Sequence, residues 1–258
     1  MYSEEQYKKA FDLRKEGFTY NEIKEKLNLL SLNAAYGWIK KRNLPRGSFL
    51  SSDAKKLSPE LAYILGVIQG DGYVSISRTK GCAKLEAKDK DFVKNFKNKL
   101  SKWSGQKSYF NLRKDRNLYT ATLNSLRASQ FLKDFNIYNL SNTKKDIKIS
   151  FLRGLFDSEG GVSGYNLSTP RTATRFIAFY NTDKDLIFLV KNMLESLGIR
   201  VQNIDKRIKS GFSTNTLLFR LRIGGKENLE KFNNTIRFSI KRKNKKLEEV
   251  LRSYKKNV

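Results

Sequence analysis

The sequence has 258 residues, with 52 lysines and arginines against 25 aspartates and glutamates, and a formal net charge of +27 at pH 7. This charge predicts a polyanionic partner, with nucleic acid favoured over an anionic membrane. One cysteine, Cys82, and no histidine are present, which excludes zinc sites of the Cys/His type and catalysis by a histidine base.

The distribution of apolar residues bears on location. No stretch approaches the ~20 apolar residues of a membrane span, and the N-terminus lacks the apolar core of a secretory signal. We therefore expect an intracellular protein, in the cytoplasm or an organelle matrix with the DNA, that is not secreted and has no membrane partner.

Residues 1–48 predict a small all-α domain of three short helices. Ser3 with Gln6, and Thr19 with Glu22, fit capping boxes at two helix starts. A helix, a short turn and a basic helix together indicate a helix-turn-helix DNA-binding domain, with a plain three-helix domain as the alternative. The candidates for groove or phosphate contacts are Asn33, Tyr36, Lys40, Lys41 and Arg42.

Residues 49–57 are predicted to form a basic linker. After it comes the first copy of a segment that occurs twice in the chain. Ser58 and Pro59 start a helix that runs into the first copy. The copies, at 64–72 and 152–160, are apolar with a central glycine, and each ends in a carboxylate followed at once by glycine.

Each copy is followed by the same order of elements. Two alternating strands, a helix opened by Asp-Lys-Asp, two more strands and a further helix come next. This order predicts an α+β fold in which the unit αββαββα is duplicated. We place the first half at 58–143 and the second at 144–258, each with a four-stranded antiparallel sheet.

Small residues recur on one face of each repeated helix. Gly66 and Gly70 are four apart, as are Gly154 and Ser158, so the two helices can pack closely about a pseudo-two-fold axis. Two separate core helices are the alternative.

Close packing would bring together the two carboxylates that end the repeats. Asp71 and Glu159 would then lie beside each other and beside two negative helix ends. Their repulsion would be relieved by an oxygen-ligated divalent cation, Mg²⁺ by preference. Such a metal beside a basic surface suits phosphodiester hydrolysis.

The two segments resemble the LAGLIDADG motifs of homing endonucleases, in the single-chain form with two motifs. The resemblance extends over about residues 59–250. It rests on the central glycines Gly66 and Gly154 and on the acid-glycine pairs that begin with Asp71 and Glu159. The sixth motif position varies, with Gln69 in one copy and Asp157 in the other.

This resemblance implies a fold and an activity. Two sheets would form a saddle over a long, pseudo-palindromic site in double-stranded DNA, which an intron-encoded monomer would cut to leave 3′ overhangs. Asp71 and Glu159 would be the metal ligands, for Mg²⁺ with Mn²⁺ or Ca²⁺ as substitutes. Lys88 would assist as a third catalytic residue, although it could be an ordinary solvated lysine. The matching place in the second half, 181–182, has no lysine, which would make the two strands unequal in cutting.

The polar strand faces are expected to read the major groove, although each residue could be an ordinary exposed strand residue. The candidates are Tyr73, Ser75, Ser77, Arg78, Lys84, Glu86, Ser163, Tyr165, Asn166, Arg171, Arg175, Arg220 and Arg222. Two alternatives to the nuclease are a non-cleaving nucleic-acid-binding protein on this scaffold, such as an intron RNA maturase or a transcription regulator, and a general basic RNA-binding protein. Intron RNA is thus a possible second partner.

Overall fold

The computed structural model of the protein describes residues 2–40, 50–165, 174–208 and 217–254. The α-helices are α1 Glu4–Lys15, α2 Tyr20–Lys26, α3 Leu32–Ile39, α4 Ser52–Lys55, α5 Pro59–Ile68, α6 Lys90–Ser104, α7 Leu126–Asp134, α8 Lys145–Ser158, α9 Lys184–Ser196, α10 Lys226–Thr235 and α11 Lys241–Arg252. The strands are β1 Gly72–Ile76, β2 Gly81–Ala87, β3 Tyr109–Arg113, β4 Leu118–Asn124, β5 Gly160–Tyr165, β6 Thr174–Asn181, β7 Asp205–Ile208 and β8 Leu217–Gly224. A 3₁₀ helix spans Ile137–Asn142 between α7 and α8.

The helices α1, α2 and α3 share a small core of their own. Both predicted capping boxes are present, at Ser3 and at Thr19. Trp38 of α3 is 3% exposed and packs against residues of the other two helices. On α1 the buried positions are Ala10 and Leu13, whereas Phe11 is only partly buried.

Part of the segment predicted as a basic linker packs against the first half of the protein. Leu50 and Ala54 are each 3% exposed and belong to the core of the first half. The indole Nε1 of Trp103 donates a 2.7 Å hydrogen bond to the carbonyl oxygen of Ala54. Residues 50–55 therefore belong to the body of the protein, while 41–49 lie outside the described residues.

Two four-stranded antiparallel sheets confirm the predicted duplication and the α+β class. Their strand orders are β1-β2-β4-β3 and β5-β6-β8-β7, which are the same order in the two halves. Helices cover one face of each sheet: the buried Phe92 and Phe96 of α6 pack with Leu85 of β2 in one core. The opposite face of the first sheet carries the polar side chains of the strands.

The repeated helices α5 and α8 pack against each other through their glycines. A Cβ atom on Gly66 would overlap the carbonyl oxygen of Phe151, and a Cβ atom on Gly154 would overlap that of Tyr63. The two backbones therefore touch, which only glycine permits at these positions. The predicted pairing of the two helices is confirmed.

None of the described helices combines the length and the apolar composition that crossing a lipid bilayer requires.

Candidate active site and nucleic-acid interface

The two acid-bearing helix ends meet. Asp71 lies in the turn between α5 and β1, and Glu159 is the C-terminal cap residue of α8. A Cβ atom on Gly70 would lie 3.1 Å from Cγ of Glu159. Because Gly70 directly precedes Asp71, the structure brings the two predicted metal ligands together across the helix interface.

The environment of Asp71 disfavours its negative charge. Partial burial of the carboxyl group raises its pKa, although Asp71 as a whole is an exposed residue. The ammonium of Lys243 lowers the pKa, and the carboxylate of Asp89 raises it. Since desolvation and a like charge both oppose ionisation, a bound cation would stabilise the carboxylate.

Lys243 is a functional candidate that our sequence analysis missed. Its ammonium donates to the carbonyl oxygens of Phe156, Asp157 and Ser158 at 2.5 to 3.2 Å. These carbonyls end α8, where no further helical N–H is available. Lys243 is only 8% exposed, and burial lowers its pKa to about 8.

A pattern in the sequence could have found this lysine. Lys243 precedes the buried Leu247 and Val250 by four and seven residues on α11, so it shares their apolar face. A lysine at such a position must find buried acceptors.

Asp157, at the sixth position of the second motif, links three parts of the chain. It is 1% exposed, and it accepts hydrogen bonds of 2.8 Å from the Tyr63 hydroxyl and from the backbone N–H of Ser239. The Ser239 hydroxyl also donates to it. Burial raises the pKa of Asp157, and these hydrogen bonds oppose the rise. Asp157 thus joins α5, α8 and the segment before α11.

The segment that contains Lys88 is held against the start of α11. Lys88 itself is exposed directly after β2. Asp89 occupies the N-cap position of α6, but its side chain makes no capping hydrogen bond and accepts one from Arg242 at 2.9 Å instead. Asp91 accepts a 2.7 Å hydrogen bond from the N–H of Lys241. The assisting role of Lys88 stays a prediction.

The donors at the helix ends fit a magnesium ion. In the part of the chain that the structure describes, no three Asp, Glu, His or Cys side chains form a metal-binding group. Mg²⁺ is commonly held by one or two carboxylates, with water and substrate phosphates as the other ligands. Asp71 and Glu159 supply such a set of oxygen donors.

The outer face of the first sheet carries four of the predicted recognition residues. Tyr73 and Ser75 are exposed on β1, and Tyr73 pairs with Lys84 across to β2. The ammonium of Lys84 lies 2.7 Å from Oε1 of Glu86, and Arg113 reaches the same oxygen at 3.3 Å. The hydrogen bond from Lys84 lowers the pKa of Glu86. Glu86 therefore holds two basic side chains in place. Of these, Arg113 was not among the residues predicted from the sequence.

The second sheet has a matching arrangement. Asp205 of β7 accepts a 3.1 Å hydrogen bond from Nε of Arg220 and lies 3.3 Å from Nη2 of Arg222. The hydrogen bond with Asp205 raises the pKa of Arg220. One carboxylate on each sheet thus holds two basic side chains, although Arg220 is only 7% exposed and presents little of its side chain to a partner. We call these two sheet faces, with Tyr73 and Ser75, the recognition faces.

Arg175 does not belong to these faces. Along β6 it lies two and four residues before the buried Ile177 and Phe179 and therefore shares their face of the sheet. That face is the one covered by helices. Its Nε donates a 2.8 Å hydrogen bond to Ser253, and its guanidinium lies 4.6 Å from the ring centre of Tyr254. Its position corrects our prediction of a groove contact, because one-residue alternation separates the two faces of a strand.

The remaining residues predicted to contact DNA differ in their exposure, and some lie outside the described residues. Ser163 lies in β5 and is partly buried, while Ser77 and Arg78 are exposed at the turn after β1. Asn166, Arg171 and the side chain of Tyr165 lie outside what the structure describes.

The N-terminal candidates that the structure describes lie in α3 or directly after it. Asn33, Tyr36 and Lys40 are exposed, and Leu30, in the preceding turn, is 91% exposed. Lys41 and Arg42 lie outside the described residues. Contact of this surface with DNA stays a prediction.

Comparison with known proteins places this arrangement in a family. The family model described as "LAGLIDADG-like domain" matches residues 146–237. An uncharacterized protein of Methanocaldococcus jannaschii, MJ0398, is 30% identical over 263 residues, covering 95% of this chain and 92% of that protein. The chain belongs to the LAGLIDADG family. Its two LAGLIDADG helices are α5 and α8, and Asp71 and Glu159 are their terminal acids.

Solved LAGLIDADG structures share the fold. A variant of the homing endonuclease I-DmoI matches with a TM-score of 0.51 and 18% identity, over 72% of this chain and 97% of that one. I-DmoI has been solved in complex with DNA and Mn, and with DNA and Ca. Full-length DUF199/WhiA from Thermatoga maritima matches with a TM-score of 0.52 and 19% identity, over 84% of this chain and 63% of that one. At these identities the likeness establishes the fold alone.

Proposed function

We propose that this protein is a divalent-metal-dependent endonuclease that cuts both strands of DNA at a long, pseudo-palindromic site and leaves 3′ overhangs. The observation that carries the proposal is the meeting of Asp71 and Glu159 where the paired helices end. The shared fold of I-DmoI, a homing endonuclease solved with DNA and divalent metals, supports it. We propose Mg²⁺ as the cofactor, with Mn²⁺ or Ca²⁺ as substitutes.

The residues at the helix ends have separable tasks in this proposal. A metal held by Asp71 and Glu159 would polarise the scissile phosphate and lower the pKa of a water molecule. Lys243 holds the end of α8 and so positions Glu159. The positive charge of its ammonium also lowers the pKa of the Asp71 carboxyl group. Lys88 is proposed to assist at the phosphate from the exposed end of β2.

Sequence recognition is assigned to the recognition faces. Their mixture of basic, hydroxyl and carboxylate groups suits hydrogen bonding to base edges as well as contacts to phosphates. Glu86 and Asp205 keep four basic side chains in place before DNA arrives, which reduces the entropy lost on binding. The N-terminal helices would add contacts outside the site read by the sheets, and a single chain carries both halves.

A second candidate function is binding without cleavage, as an intron RNA maturase or a transcription regulator. One observation favours it: the net charge of +27 serves the binding of a nucleic acid whether or not the strand is cut. Against it stands the adjacent pair of acids, which a binding module does not need.

Cleavage assays with matched variants distinguish the two functions. We would select duplexes cut by the wild-type protein from a random library in Mg²⁺, and then compare Asp71→Asn, Glu159→Gln and the control Glu248→Gln. Glu248 is exposed on α11. Loss of either metal ligand is expected to slow cleavage by more than about 100-fold, with DNA affinity in Ca²⁺ retained and the control unchanged.

Two results would contradict the proposal. Tight binding of a selected site by the wild-type protein without any cutting would favour the binding module. Undiminished cleavage by Glu159→Gln would show that the metal site lies elsewhere.

A further inference from the structure

A cavity of about 460 Å³ opens on the helical side of the protein. Its walls include Asn95 and Lys99 of α6, Ser150 and Arg153 of α8, and Arg237 and Ser239 of the segment before α11. The α6 helix packs on the face of the first sheet opposite the recognition face, so the cavity does not open toward the predicted DNA site.

The cavity is also distinct from the paired acids. Tyr63, which lines it, precedes Asp71 by eight residues along α5 and the turn after it. At a rise of 1.5 Å per helical residue, this separation is about 12 Å.

The charge of the cavity is positive. Among the described residues that form its walls there is no aspartate or glutamate. Lys99 is neutralised in part, because its ammonium lies 3.3 Å from the carboxylate of Glu60. The two arginines, Arg153 and Arg237, supply the remaining positive charge.

Hydrogen bonds to the backbone hold the side chain of Arg153 and the turn that carries Arg237. Nε of Arg153 donates to the carbonyl oxygens of Ile236 and Arg237, at 2.5 and 3.2 Å. Arg237 has a φ of +53°, a left-handed conformation that is uncommon for residues other than glycine and asparagine. The next anchor is Ser239, whose N–H donates to Asp157. The turn that carries Arg237 is therefore fixed on both sides.

Neutral polar groups complete the walls. The hydroxyl of Tyr63 donates to Asp157 at 2.8 Å and lies 3.2 Å from the hydroxyl of Ser239. Asn95 hydrogen-bonds to the same tyrosine. The held guanidinium of Arg153 and the guanidinium of Arg237, which is carried on a fixed turn, line the cavity beside amide and hydroxyl groups. Proteins bind phosphate oxygens with guanidinium groups in such surroundings.

The repeated motif does not account for this feature. Arg153 stands at the motif position that Leu65 occupies in the first copy, and Leu65 is completely buried. A basic residue there is not needed for the helices to pack, so the cavity belongs to one half only.

We propose that this cavity is a phosphate-binding site, separate from the recognition faces and from the paired acids. The phosphate could be a free phosphate or phosphomonoester, or a backbone phosphodiester of a nucleic-acid segment that reaches the helical side. Occupancy would brace the turn at 236–239 through Arg153 and Arg237. This site does not depend on the nuclease activity proposed above.

Arginine side-chain NMR signals of the full chain provide the test. The Nε–H signals of Arg153 and Arg237 would be followed during titration with inorganic phosphate, a nucleoside 5′-monophosphate or a single-stranded hexanucleotide, at constant ionic strength in chloride. We expect both signals to shift saturably. Arg237→Asn, which tolerates the left-handed conformation, should weaken phosphate binding at least ten-fold. The control Arg200→Asn, at an exposed arginine of the second half, should leave it unchanged.

The outcomes separate the sources of phosphate and can overturn the site. Saturation by phosphate and the monophosphate alone supports a small-molecule site, whereas shifts of the same two signals with the oligonucleotide support a backbone phosphate. The proposal fails if no probe shifts these signals, or if Arg237→Asn and Arg200→Asn weaken phosphate binding equally. Arg153→Lys, which keeps the charge and loses the planar fork, provides a second variant.

Discussion

At the residue scale, one lysine connects the C-terminal helix to the paired acids. Lys243 satisfies three carbonyl oxygens at the end of α8, next to the cap residue Glu159. Its positive charge also compensates the negative end of that helix. The desolvation of its ammonium opposes this gain, which is why its pKa falls to about 8.

The depressed pKa of Lys243 predicts how stability depends on pH. Between about 8 and the ordinary value near 10.5, the unfolded chain binds more protons than the folded one, so the free energy of unfolding rises with pH. Over the whole interval this residue contributes roughly 3 kcal/mol to the rise. In urea denaturation of the metal-free protein from pH 7.5 to 10, Lys243→Met should therefore flatten the profile.

The control for this measurement is Lys245→Met, at an exposed position on the same helix. It should keep the wild-type profile. An unchanged pH dependence in Lys243→Met would mean that the lysine titrates alike in both states, contrary to our expectation.

At the element scale, contact between α5 and α8 determines where the acids lie. Gly66 and Gly154 let the two backbones touch, and the pseudo-symmetric crossing then places both C-terminal ends together. A wider separation of the helices would move Asp71 and Glu159 apart. The same glycines that stabilise the junction of the halves therefore also build the candidate metal site.

Substitution of one of these glycines tests that connection. In Gly154→Ala, the new Cβ atom would overlap a helix carbonyl of Tyr63 and lie 3.0 Å from the backbone nitrogen of Val67. Because backbone atoms cannot rotate away, we expect a loss of roughly 3 kcal/mol in the free energy of unfolding. Gly161→Ala is the matched control, since no atom lies within 4 Å of its added Cβ, and it should change stability by less than about 0.5 kcal/mol. Equal stability of the two variants in urea denaturation would refute close packing at Gly154.

At the scale of the whole molecule, the net charge of +27 is spread over sheets, helices and the N-terminal part. The recognition faces hold some of this charge in ion pairs with Glu86 and Asp205. The rest makes the protein a polycation at long range, which accelerates its encounter with DNA.

This charge predicts a steep dependence of DNA affinity on salt. If about six to ten phosphates are neutralised, raising the salt from 50 to 200 mM should weaken binding by about 10³-fold or more. Arg113→Gln should lower the slope of log Kd against log salt by about one if this arginine contacts a phosphate. The measurement is fluorescence anisotropy with a selected duplex in Ca²⁺. A flat response in the wild-type protein would contradict an electrostatic interface.

Removal of the N-terminal helices tests the division of labour between the parts. We expect deletion of residues 1–49 to weaken DNA affinity and to leave the cut position unchanged, because the acids and recognition faces lie in the remaining chain. The deletion must stop before Leu50, which is 3% exposed in the core of the first half. A shifted cut position, mapped on end-labelled duplex, would show that the N-terminal part sets the cleavage register.

Local sequence patterns predicted most of the helices and strands, because the interactions that form these elements involve residues close together in the chain. Capping boxes at Ser3 and Thr19, the start at Pro59 and the alternation along β1 and β2 depend on residues within a few positions of one another. The glycine faces predicted the pairing of α5 and α8. Local patterns do not determine the partner of Asp89, which occupies the N-cap position of α6 but accepts a hydrogen bond from a distant arginine, Arg242.

The sequence by itself determined the duplicated αββαββα order, the pairing of the motif helices and the two acids that end them, since periodicity and small-residue spacing are readable along the chain. Only the tertiary structure decided that Lys243 holds the end of α8, that Asp157 joins three segments and that Arg175 faces the helical side. These contacts join residues more than 70 positions apart. Their partners are set by how elements pack, and burial then shifts the pKa of Lys243 and of Asp157.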